Sequence, residues 1–153
     1  MNNTQKPQHT LHLTIDKEQI LNIIYAESAW YCILHPEAKP LSPDVERLCM
    51  MRVKEGFEEL KQHFMAYIYF SNFNPNLPKG NITLELRFFN PIPDMLEEMV
   101  HEDVAQMLAW WALKRFYGDD ASYYHTAWLK HRSSLMMNFV RDANYNLIKE
   151  MGL

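Results

Sequence analysis

The chain's most suggestive chemical spacing is Glu98-Met99-Val100-His101. An E-x-x-H sets a carboxylate and an imidazole on one face of a helix, the arrangement used by di-iron bundles. That chemistry also needs a second such pair and further glutamates from other helices. Residues 120–142, the natural source, contain no acid between the two terminal aspartates. His101 is followed by Glu102 and Asp103 and does not open an H-E-x-x-H. The acids Asp94, Glu97, Glu98, Glu102 and Asp103 therefore read as partners of a helix N-terminus, with His101 beside them. No metal site and no cofactor are expected.

Glu27 is a second candidate, because it shares an apolar stripe with Ile20, Ile23, Ile24, Tyr31 and Leu34. A carboxylate in such surroundings acquires a raised pKa and suits general acid chemistry. Nothing nearby in sequence supplies a nucleophile or a second carboxylate. The third candidate is basic: Lys130-His131-Arg132, with Lys114-Arg115 near the end of the preceding helix. Such groups meet phosphate or an acidic partner, or simply form a solvated face. Neither G-x-x-x-x-G-K-[ST], G-x-G-x-x-G nor G-x-S-x-G occurs, and 4 glycines in the whole chain are too few to build a phosphate loop. Catalytic residues are accordingly none. The competing reading is a helical-bundle metal-binding protein or enzyme built on Glu27, Glu98 and His101.

The elements that would position these groups follow from periodicity. After a polar arm over residues 1–10, Leu11, Leu13 and Ile15 alternate with polar residues as in a half-buried strand. Asp16 with Gln19 forms a capping box for a helix that runs to Leu34 and stops before Pro36. Ser42-Pro43-Asp44 starts a second helix, with Leu48, Met51, Phe57, Leu60 and Phe64 on its stripe. Residues 66–70 read as a strand, with a continuation of the second helix through Ile68 as the alternative. Paired with the alternating Ile82, Leu84, Leu86 and Phe88, that strand makes a β-hairpin with a long Asn/Pro tip at 71–81. Asp94 and Glu97 suggest a second capping box. The helix that follows, 94–117, and another over 120–142 are joined at Gly118-Asp119-Asp120 into an antiparallel helical hairpin. Tyr124, Trp128, Leu135 and Phe139 share the face of the last helix, and residues 143–153 form a loose tail. The expected fold is α+β and mainly helical, in one domain over 1–153: two N-terminal helices, a β-hairpin and a C-terminal helical hairpin.

Composition agrees with that outline. The 153 residues are 48% hydrophobic and 22% charged, a globular mixture, and the net charge of −4 argues against wrapping nucleic acid electrostatically. No apolar run approaches the roughly 20 residues of a membrane span. Cys32 and Cys49 have neither C-x-x-C nor zinc spacing and read as reduced packing residues, which points to a cytoplasmic protein. The surplus lies in aromatic residues: Trp110-Trp111, Phe116-Tyr117 and Tyr123-Tyr124 are adjacent pairs, and neighbours on a helix point about 100° apart. One member of each pair serves the hairpin core. The other faces either the N-terminal helices or a neighbouring subunit.

Over residues 82–140 the chain resembles small structural proteins of tailed phages and prophages, of the head–tail connector or neck type. The resemblance rests on Leu84-Glu85-Leu86-Arg87 leading through a proline turn into a long helix. It continues with the aromatic-rich end Trp111 through Tyr117, the acidic turn Asp119-Asp120, and Ala121 with Tyr124 in the next helix. Basic residues that proteins of this kind often carry just after that helix are reduced here to Arg141 before Asp142. The resemblance implies a non-enzymatic subunit that assembles with portal or tail components, in a homo-oligomeric ring, and resides in the host cytoplasm or the virion. The contact residues expected from it and from the aromatic surplus are Phe73, Asn76 and Leu77 on the loop tip, and Trp110, Tyr117 and Tyr123 on the helical hairpin.

Overall fold

Leu11, Leu13 and Ile15 lie directly opposite Leu86, Leu84 and Ile82 in an antiparallel ladder, and all six are buried. The opposite face of the same ladder is polar, with His12 Nδ1 2.9 Å from Glu85 Oε1. A period-2 pattern folds in this way when one face of the sheet is covered and the other is wet. The computed structural model describes residues 6–73, 81–118 and 122–152. In chain order these form β1 (His9–Asp16), α1 (Lys17–Leu34), a 3₁₀ turn (Pro43–Val45), α2 (Glu46–His63), β2 (Ile68–Asn72), β3 (Asn81–Phe88), α3 (Asp94–Tyr117) and α4 (Ser122–Glu150). The protein is therefore mainly helical, with a small antiparallel sheet of order β1-β3-β2.

The expected hairpin is β2–β3, and the N-terminal strand completes the sheet by adding to the free edge of β3. β2 lies two residues later than the 66–70 expected, because Phe64–Tyr67 turns out of α2 first. An irregularity between Ile68 and Phe70 then lets this edge strand meet β3.

Helix starts depart from expectation in two places. Asp16 caps α1, accepting from the Glu18 N–H at 3.0 Å, as its position suggested. At α3, however, the cap is Pro93 with no side-chain hydrogen bond, and Asp94 is already the first helical residue. Ser42 likewise makes no side-chain cap. It precedes the 3₁₀ turn, and the α-helical part of α2 starts at Glu46. The stripe of α2 also has a different phase. Cys49, Val53, Phe57, Leu60 and Phe64 are buried, whereas Leu48 and Met51 are each 48% exposed. Six residues span about 1.7 turns, so Met51 stands about 120° from Phe57 and cannot share its face.

α3 is the hub. It packs against α1, α2, α4 and β1, and ten of its residues are buried, among them Ala105, Ala109 and Ala112, which let neighbouring helices approach closely. Gly118 ends it at φ 60°, a conformation that costs a side-chain-bearing residue energy. α4 returns antiparallel along α3, burying Tyr124, Trp128, Leu135 and Phe139 as the spacing requires. It does not stop at Asp142. The helix continues through Glu150, and Asp142 instead holds the end of β3: its carboxylate accepts from the Phe89 N–H at 2.7 Å, the Asn90 N–H at 3.1 Å and the Asn90 side-chain amide at 2.8 Å. Among the described residues no helix is long and apolar enough to cross a membrane.

Candidate functional site

Glu27, Trp30, Tyr31 and Leu34 fall at i, i+3, i+4 and i+7, which places them on one face of α1. That face meets the first turns of α4, and the two flank a half-open cavity of about 510 Å³ lined by these four residues with His35, Tyr123 and Tyr124. The interior wall is built of stacked rings. Tyr31 is stacked between His35 (4.2 Å between centroids) and Tyr117 (4.0 Å), and Tyr124 is stacked on Trp110 at 5.6 Å. The Tyr124 hydroxyl donates to the Glu27 main-chain carbonyl at 3.3 Å, joining the two helices. Behind the cavity the buried Ser28 hydroxyl accepts from the Leu41 N–H at 2.6 Å and bonds the Tyr117 hydroxyl at 2.5 Å, which anchors the loop after α1. Burial raises the pKa of Tyr117 to about 12 and keeps that phenol neutral. At the mouth, Trp30 and Tyr123 remain 63% and 66% exposed. Burial also raises the pKa of the Glu27 carboxyl, and no lysine, arginine or histidine among the described residues pairs with it.

Glu98 and His101 lie elsewhere. With Asp94, Glu97 and Glu102 they line a shallow acidic depression, and His101 Nε2 lies 3.3 Å from the Thr14 carbonyl of β1. His101 precedes Tyr117 by 16 residues of α3, about 24 Å of helix. Glu27, at the Tyr117 end, therefore cannot join Glu98 and His101 in one metal or catalytic centre. No cluster of three or more His, Cys, Asp or Glu residues suited to a metal occurs among the described residues.

A polar triad that the linear reading missed does form. Asp103, buried on α3, takes His131 Nδ1 at 2.9 Å on one oxygen and the Ser134 hydroxyl at 2.8 Å on the other. The connectivity differs from a serine nucleophile relay, in which imidazole stands between acid and hydroxyl. Here the acid stands between the other two, so the group pins α4 to α3. This also splits the basic run: His131 turns inward, while the Arg132 guanidinium lies 5.0 Å from the Trp128 ring centroid. Lys114 joins Arg132 at that ring, with Nζ 5.0 Å from the Trp128 centroid, 4.4 Å from the Trp111 centroid and 3.0 Å from His125 Nδ1. Burial lowers the Lys114 pKa; Glu59 opposes this, and Arg115 and Arg132 reinforce it. Arg115 bonds Glu55 of α2 at 3.4 Å. These cations interact with aromatic rings and acids of the chain itself.

The expected contact residues separate in the same way. Trp110 is buried, in edge contact with Tyr123 and stacked on Tyr124, so it is unavailable to a partner. Tyr117 points inward to Ser28, and Phe73 packs on the core with its ring 5.5 Å from Phe57. Tyr123 alone of the three hairpin aromatics is mostly exposed. Asn76 and Leu77 lie outside the described residues.

One surface was hidden by ending α4 too early. Met137, Val140, Leu147, Ile148 and Met151 are between 38% and 64% exposed. At about 100° per residue they fall within an arc of about 100°, roughly opposite the buried Trp128, Leu135 and Phe139. Their i, i+3, i+10, i+11, i+14 spacing is the sequence signal, legible only once the helix is carried beyond Asp142.

No protein-family model matches the chain, and no curated protein or solved structure is detectably similar to it.

Proposed function

We propose that this protein is a non-enzymatic assembly subunit that acts through protein–protein contacts, of the head–tail connector-like kind its resemblance to tailed-phage structural proteins implies. The observation that carries the reading is the second apolar face of α4. A helix whose inner face is already satisfied by α3 has no reason of stability to present Met137, Val140, Leu147, Ile148 and Met151 to water. Exposed apolar stripes of this kind serve association, and methionines adapt to partners of differing shape. The partner surfaces are further copies of this chain, in a ring, or the adjoining portal or tail components. Sedimentation velocity across a concentration series, with the wild type beside a Met137→Glu/Ile148→Glu variant, tests this. Association that grows with concentration and disappears in the variant is the expected result. A wild type that stays monomeric and also binds no purified portal or tail protein defeats the proposal.

A further inference from the structure

The cavity between α1 and α4 combines three properties that together select a ligand. Its volume, about 510 Å³, lies in the range of small-molecule sites. Its walls are mainly aromatic and aliphatic: Trp30 and Tyr123 at the mouth, Tyr31 and Tyr124 within, and Leu34 along one side, with the imidazole of His35, which faces Glu37 at 3.9 Å, completing the lining. Its one acid, Glu27, has no cationic partner among the described residues. An anion entering this space would face the carboxylate. A neutral apolar molecule would strip water from Glu27 and give nothing in return.

A cation gains from both features, through ion pairing with the carboxylate and attraction to the electron-rich faces of indole and phenol rings. The predominantly apolar lining narrows the class further. A primary ammonium carries three N–H donors that must all be satisfied when buried, whereas a quaternary ammonium carries none and presents only methyl groups to the walls. From this juxtaposition of Glu27 with Trp30, Tyr123 and Leu34 we infer that the α1–α4 cavity is a binding site for an organic cation bearing a quaternary ammonium group. This site is separate from the outer face of α4 and does not depend on the assembly reading.

The test is titration of the full chain with choline, followed by Trp fluorescence and calorimetry, beside dimethylbutanol, the uncharged carbon isostere of choline. Free trimethyl-lysine against free lysine forms a second arm. It distinguishes a site for a modified side chain from one for small choline-like molecules. Choline or trimethyl-lysine should bind saturably, with the matched control at least about tenfold weaker. Glu27→Gln and Trp30→Ala should each weaken binding by about tenfold or more, while His101→Ala leaves it unchanged. Trp30 is largely exposed, so its replacement keeps the fold, which unfolding curves of each variant check. Equal binding of dimethylbutanol, unchanged affinity in Glu27→Gln, or no binding of either cation overturns the assignment.

Discussion

Gly56 lies within α2, where glycine ordinarily costs about 1 kcal/mol relative to alanine, so a Gly56→Ala change would stabilise an exposed helix by about that much. Here the direction reverses. A Cβ at Gly56 would stand 2.9 Å from Trp111 Cβ and Cγ and 3.0 Å from Cδ1. These are the root atoms of the indole, which cannot swing aside unless α3 itself moves. Trp111 is also confined by Trp128, 5.4 Å away between centroids, and by Lys114 above its ring. Overpacking of a fitted interface costs about 1–3 kcal/mol. Set against the propensity gain, Gly56→Ala should lose about 1 kcal/mol net, a fall in Tm of about 2–4 °C for a domain of this size. Urea unfolding of Gly56→Ala, Trp111→Ala and the double variant measures the coupling. Trp111→Ala removes two of the three crowding atoms, so the alanine at 56 should cost less in that background, with an interaction energy of about 1 kcal/mol. A Gly56→Ala protein as stable as wild type, or one equally affected in both backgrounds, refutes the claim that α2 and α3 meet at this glycine.

Asp142→Ala should destabilise the fold by about 2–3 kcal/mol, because it leaves the Phe89 and Asn90 N–H groups without their carboxylate acceptor; chemical denaturation reads this directly. The raised pKa of Glu27 means that the folded state favours its protonated form. That contribution is present below the unfolded carboxyl pKa of about 4.3 and is lost as pH rises through the folded value. Glu27→Gln should therefore raise Tm at neutral pH and have little effect near about pH 3. A gain that is the same at both pH values would remove desolvation as its cause. The titratable groups sharing the cavity with Glu27 are His35, Tyr31, Tyr123 and Tyr124, so the comparison is repeated in a His35→Gln background. Burial raises the Cys49 thiol to about 11, whereas Cys32 is only partly buried, so a thiol reagent should modify one cysteine per native chain and two after unfolding. Mass spectrometry of the labelled peptides identifies which.

Local patterns carried most of the element order. Alternation over Leu11–Ile15 and Ile82–Phe88, the Asp16 cap, the Gly118 stop and the Tyr124–Phe139 stripe are each properties of a few consecutive residues. Backbone geometry converts such patterns directly into strand, cap, turn or helix face. The Glu27, Trp30, Leu34 face was equally present in the spacing, but Tyr123, which makes it a cavity, is 89 residues away from Leu34. The misplaced features share one cause. Leu48 and Met51 are as apolar as Cys49 and Val53, and only the position of α3 decides which pair is buried. Trp110 and Trp111 differ in surroundings, not in type. Asp142 ends β3 rather than α4 because a carboxylate bonds whichever unpaired N–H groups the packing brings to it. By itself, then, the sequence determined the mainly helical α+β class, the alternating strands β1 and β3 and the helical hairpin, since periodicity and capping act over a turn or two. Tertiary structure alone decided the join of β1 to β3, the Asp103–His131–Ser134 group, the α1–α4 cavity and the exposed apolar face of α4, because each depends on which distant surface arrives to cover or complete the local one.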